Sequence, residues 1–182
     1  MSKRLILVTA LLMAVNACSS MSQAPLKKFS LHLLAPKSGP KPALYQQKLS
    51  LYTKGNVSQV LVVLKVEYAG IKLRALLPTG QSLYSINYDG QTLSKQNLAN
   101  VELPAEEMLS MLQFALWPSD ILHETYNASG NWQIEETKKF RLLTLNGKNT
   151  LRVDFVNQNT LHLTNYPHQY NVKVETLEHK RL

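Results

Sequence analysis

VLVVLKVEYAGIKLRALLPTGQSLYSINYDG, residues 60–90, decides the fold. Val60, Val62, Leu64, Val66 and Tyr68 alternate with a second face that ends in Lys65 and Glu67. After Ala69-Gly70, Ile71, Leu73, Ala75 and Leu77 alternate with Lys72 and Arg74. Pro78-Thr79-Gly80 breaks the run, Gln81 to Tyr88 resumes it, and Asp89-Gly90 closes it. A period of two is the side-chain period of a β-strand. Asp-Gly between extended segments is a strong hairpin signal, and strands joined by tight turns are antiparallel.

Working outward, Pro104 to Trp117 changes to helical spacing, with apolar residues at 108, 109, 112, 115 and 116. Pro104 suits the first helical turn, and Glu106 and Glu107 suit its positive end. Pro118 ends this helix, and Ser119-Asp120 open a second short one through Tyr126. Period two then returns over Trp132 to Glu136, Phe140 to Leu145, Leu151 to Phe155, Leu161 to Thr164 and Tyr170 to Glu175. The expectation is nine or ten antiparallel strands around a helical insert.

One apolar and one polar face per strand describes a sheet with one wet side. Two short helices cannot cover ten strands laid flat. The fold class is therefore α+β, mainly antiparallel β, curled into a half-open barrel with a helical lid or plug. Such a sheet offers a cavity for an apolar ligand. The candidate cavity residues are Leu64, Val66, Leu73, Leu83, Leu109, Leu112, Leu116, Trp117, Leu151, Val153 and Leu163.

The start, MSKRLILVTALLMAVNACSS, has a basic n-region and an apolar run too short to cross a bilayer. Val15-Asn16-Ala17-Cys18 resembles a bacterial lipobox, which makes Cys18 the site of lipid attachment and residues 1–17 a lipoprotein signal peptide. The alternative is an ordinary signal cut near Ala17 or Ala24, with Cys18 incidental. In the lipobox reading Cys18 carries acyl chains of the palmitate type. Ser19, rather than Asp, then favours the periplasmic face of a Gram-negative outer membrane. Residues 18–43, rich in Ser, Pro and Lys, read as a flexible tether, and residues 44–182 as one domain. The formal net charge of +8 falls to +6 once Lys3 and Arg4 are removed. The cations are scattered, so nucleic acid is not an expected partner; anionic headgroups or an acidic protein fit better.

Catalytic signatures are missing: no Gly-x-Ser-x-Gly elbow, no phosphate-cradling loop, no HExxH. His162 and His168 flank one turn, where a metal pair is a less favoured reading than exposed histidines. Adjacent carboxylates in Glu106-Glu107 and Glu135-Glu136 point apart. The expectation is a protein that is not an enzyme, with no cofactor and no metal.

LRALLPTGQSLYSINYDGQTLSKQ (73–96) followed by LPAEEMLSMLQFALWPSDIL (103–122) resembles the LolB-type outer-membrane lipoproteins. The run is most similar to a related lipoprotein family that accompanies aryl polyene biosynthesis genes. The resemblance spans roughly Tyr45 to Leu177 and implies a LolA/LolB-like barrel. It also implies acceptance of an acylated cargo from a soluble LolA-like periplasmic carrier. A LolB-type protein inserts an apolar turn into the membrane; here that turn is Leu77-Pro78-Thr79-Gly80, with Thr79 where a leucine is expected.

Two functions follow. One is a lipid-anchored binding protein that shelters an acyl, lipoprotein or polyene-lipid chain and helps deliver it to the outer membrane. The other is an accessory or scaffold lipoprotein of an envelope assembly that binds no lipid.

Overall fold

The computed structural model describes residues 31–98 and 105–182. The lipobox, Cys18 and Pro104 lie outside these residues.

The first half of the described chain is a meander: β1 (Ala43–Thr53), β2 (Asn56–Glu67), β3 (Gly70–Leu76), β4 (Ser82–Tyr88) and β5 (Leu93–Asn97). Two helices follow, α1 (Ala105–Leu116) and α2 (Ser119–Asn127). A second meander runs through β6 (Trp132–Glu136), β7 (Phe140–Leu145), β8 (Lys148–Asn157), β9 (Thr160–Asn165) and β10 (Tyr170–Arg181). The burial of β3 alternates strictly, with Ile71, Leu73 and Ala75 inside and Lys72 and Arg74 outside, as the period of two requires. The turns obey local chemistry. Asn146 and Gly147 both take positive φ, 52° and 71°, which matches the right-handed twist of a two-residue hairpin. The Asp89 carboxylate accepts hydrogen bonds from the amides of Gln91 and Thr92, turning β4 into β5.

The ten described strands form one antiparallel sheet in the order β5-β4-β3-β2-β1-β10-β9-β8-β7-β6. The two meanders meet where β1 pairs with β10, Leu49 facing Val174 and Leu51 facing Val172. So the strands that begin and end the domain lie at its centre. The edges are β5 and β6, which do not pair with each other; the sheet is not closed. The α1–α2 connection runs from one edge to the other. Residues of β2–β4 and of β7–β10 share a single hydrophobic cluster with both helices, so the sheet curls around them.

Within α1, Leu109 to Ala115 are all buried, Phe114 completely. A helix buried on every side is a plug rather than a lid. Met111 and Phe114, off the predicted apolar stripe, are as buried as Leu109 and Leu112, which belong to it. The second helix buries only Leu122 and Tyr126.

The expected tether needs correction at its C-terminal end. Leu31 and Leu34 join the core, and Pro36–Ser38 form a turn of 3-10 helix. The prolines and lysines there suggested a solvated segment, but the leucines between them have apolar area to bury. This stretch is a strap across the helices. The His32 ring lies 5.1 Å from that of Tyr126 and 6.0 Å from that of Trp132. A Cβ added at Gly39 would sit 2.6 Å from the Trp117 ring, so the strap touches the helix junction so closely that only glycine fits.

Candidate functional site

Nine of the eleven candidate cavity residues, all but Leu83 and Leu116, are at most 5% exposed and belong to the central cluster. Leu83 and Leu116 are partly buried and pack against it. The structure thus brings all eleven together, from both meanders and the helix plug. A depression of about 340 Å³ lies elsewhere, between the β2–β3 and β4–β5 turns, lined by Glu67, Lys72, Asn87, Asp89 and Ser94 among others. None of the eleven candidates lines it.

The helix plug is fastened at three points, none of which the apolar pattern revealed. At its N-terminal end, Glu107 is buried, and its Oε1 accepts three hydrogen bonds from one hairpin. Asn165 Nδ2 and the Tyr170 hydroxyl each donate over 2.7 Å, and His168 Nδ1 lies 2.9 Å away. Met111, one turn along, places its sulfur 3.1 Å from the Tyr170 hydroxyl. The single hydroxyl proton favours the charged and nearer carboxylate. Burial, reinforced by the bond to Glu107 and its negative charge, pushes the Tyr170 hydroxyl far above the ordinary tyrosine range. Tyr170 is therefore a permanent donor.

In the middle of α1, the fully buried Gln113 amide grips the strap. Its Oε1 accepts from Leu34 N over 2.9 Å, and its Nε2 donates to Leu34 O over 2.7 Å. The primary amide stands in for a neighbouring strand and satisfies both backbone groups of Leu34.

At the C-terminal end, Arg141 of β7 donates through Nη1 to the carbonyls of Phe114 and Trp117, 2.9 Å each. Its Nε donates to Glu136 over 2.7 Å, and its Nη2 to the Ser119 hydroxyl over 3.2 Å. A guanidinium suits the carbonyl end of a helix in both charge and geometry. Burial works against the Glu136 charge, but the bonds from Arg141 and Ser119 and the Arg141 charge outweigh it. Its carboxyl is held below the usual range.

The histidines and carboxylates resolve accordingly. His162 is exposed on β9, and His168 pairs with Glu107 rather than with His162. Glu106 and Glu107 do point apart, one exposed and one buried. His123 lies 3.8 Å from Glu136. Among the described residues no three His, Cys, Asp or Glu side chains gather as a metal site. One sequence signal for the Glu107 cluster existed: Glu107, Met111 and Phe114 share a helix face at spacings of four and three.

The Leu77–Gly80 turn stands at one end of the sheet. Pro78, Thr79 and Gly80 are exposed, and Leu77 is half-buried. Leu77 N donates to Gln81 O and Gly80 N to Leu77 O, 2.8 Å each, and Gly80 has φ of 87°. The register puts the β1–β2, β7–β8 and β9–β10 turns at the same end.

A family model described as "Protein of unknown function (DUF3261)" matches residues 44–178, from the first strand into the last. The chain belongs to this family. The DUF3261 match covers β1 to β9, both helices and most of β10, so the Glu107, Gln113 and Arg141 side chains lie within it, whereas the strap lies outside. Among solved structures, a Vibrio parahaemolyticus domain described as an outer membrane lipoprotein-sorting protein is similar to this DUF3261 chain. The alignment has 12% identity, covers 81% of this chain and 88% of that one, and gives a TM-score of 0.43. No curated protein matches.

Proposed function

We propose that this chain is a lipid-anchored protein on the periplasmic face of the outer membrane. It shelters an acyl, lipoprotein or polyene-lipid chain in its curled sheet and helps deliver it to that membrane. One observation carries this reading. An unclosed ten-stranded sheet turns a largely apolar face, including Leu64, Leu73, Leu151 and Val153, toward a helix plug that is buried throughout Leu109 to Ala115. A sheet whose edges do not meet can widen without breaking a strand pair. An acyl chain needs only apolar surface to replace the plug's own. The lipobox around Cys18 and the resemblance of residues 73–96 and 103–122 to LolB-type lipoproteins support the address.

The second reading is a scaffold lipoprotein. The tight burial of nine of the eleven candidates favours it, because those residues already fill one another's contacts. Native mass spectrometry of the secreted, unlipidated chain separates the two. A bound lipid or polyene ester, weakened by Leu83→Asp or Leu116→Asp, is the expected result. A bare protein that also takes up no fluorescent fatty acid would leave the scaffold in front.

A further inference from the structure

The two ends of α1 are held differently. The middle and C-terminal end are gripped from two separate elements, by Leu34 of the strap and Arg141 of β7, and Gln113 is wholly buried. Among the described residues the polar hold on the N-terminal end comes from the β9–β10 hairpin alone, whose side chains make three bonds to Glu107 and, more weakly, reach the Met111 sulfur. Water reaches this second grip: the His168 side chain is 20% exposed, whereas that of Glu107 is 6% exposed. All three bonds also converge on a single oxygen, so one rotation of the Glu107 side chain breaks them together.

We propose that Glu107, with Asn165, His168 and Tyr170, is a clasp whose release lets the N-terminal turns of α1 leave the sheet while the C-terminal end stays fixed. The helix then swings about the Gln113–Arg141 end as a hinge. Leu109 and Met111 are withdrawn from the cluster, and the apolar face of the sheet is opened beside the β9–β10 turn. Proteins open locally where the contacts are few and wet, and later where they are many and dry. Among the described residues the Glu107 end has the fewer elements gripping it, one hairpin against the strap and β7. Glu107 is thus a positioning residue for the plug; it need not touch the cargo. The clasp deepens the lipid-sheltering reading by naming the end from which a chain enters, but the opening itself does not depend on that reading.

Hydrogen exchange of the full chain, read by mass spectrometry, tests it. In Glu107→Ala, amides 105–112 should exchange at least about ten-fold faster, with α2 and β1–β4 unchanged. A fluorescent fatty acid should then be taken up faster than by the native chain. Unchanged exchange in α1, or equal acceleration of α1, α2 and the sheet, would overturn the clasp. Should Glu107→Ala fail to fold, Tyr170→Phe and His168→Ala each remove one donor and are read by the same comparison. Faster opening of α1 with no fatty acid uptake in any variant would keep the clasp and remove the lipid-sheltering reading instead.

Discussion

Gln113 and Leu34, 79 residues apart, exchange two hydrogen bonds of 2.9 and 2.7 Å inside the protein. The bond from Leu34 N and the bond to Leu34 O fasten the strap to the helix plug. Gln113→Ala leaves both backbone groups of Leu34 buried without partners. An unsatisfied buried group costs about 1–3 kcal/mol, so with two such groups the variant should lose roughly 2–6 kcal/mol. Urea unfolding followed by tryptophan fluorescence measures this; a midpoint equal to that of the native chain would refute it.

Arg141 serves a carboxylate, a hydroxyl and helix-end carbonyls at once. Arg141→Met keeps much of the volume but strands Glu136 and the carbonyls. Breaking a fully buried ion pair from one side costs about 3–5 kcal/mol; Glu136 is partly exposed, so the loss here should fall below that range. Arg141→Lys should recover less than half of that, because one ammonium cannot span both partners. Guanidinium unfolding of the two variants gives the comparison, and full recovery by lysine would contradict the bridging role.

The depressed carboxyl of Glu136 sets a pH dependence with a definite sign. Its folded value lies below its unfolded one, so its stabilisation is fully present above the unfolded value, about 4.3. It is lost as pH falls through the folded value. Unfolding free energies of the native chain and Glu136→Gln should differ at pH 7, and the gap should narrow as pH falls below about 4.3. A gap that does not narrow on acidification would mean that the charge of Glu136 is not what stabilises the junction.

Gly39→Ala places a methyl group 2.6 Å from the Trp117 ring. Overpacking of this kind costs about 1–3 kcal/mol. The strap and the α1–α2 junction should loosen together, visible as a lower melting temperature and a red-shifted tryptophan emission. Retention of both native values would show that the ring has room to move.

Thr79→Leu adds apolar area to an exposed turn and touches nothing buried. Stability should stay within about 0.5 kcal/mol of the native value. Membrane affinity should rise, since a fully buried Leu contributes about 1.5–3 kcal/mol. Flotation of the unlipidated chain with phospholipid vesicles reports it; equal flotation of both forms would remove this turn from the membrane-facing surface.

Much of the fold was legible because alternation reports local geometry. Trp132–Glu136 and Phe140–Leu145 are strands with the limits that their pattern predicts. Strand order was not, because β1 and β10 meet across some 130 residues, as in Gln47 facing Thr176, and no local period records such a pairing. The strap was misread because proline content outweighed Leu31 and Leu34. Glu107 was missed because a carboxylate in a first helical turn has a sufficient explanation at the surface. Only its shared face with Met111 and Phe114 hinted otherwise. Arg141 and Gln113 gave no signal at all, since a polar residue that satisfies distant backbone groups looks the same in sequence as one facing water.

The buried strap also sets a length. With Cys18 acylated as proposed, the first of the described residues seated in the core is Leu31, thirteen residues on. Fully extended, that leash reaches about 43–47 Å, close to the roughly 40 Å length of the twelve-residue strand β10. A body confined to such a hemisphere meets its own bilayer at an effective concentration on the order of millimolar. Contacts too weak to hold a free protein on a membrane would suffice to hold this one. Its encounters with the surface would be governed by the anchor rather than by diffusion through the periplasm.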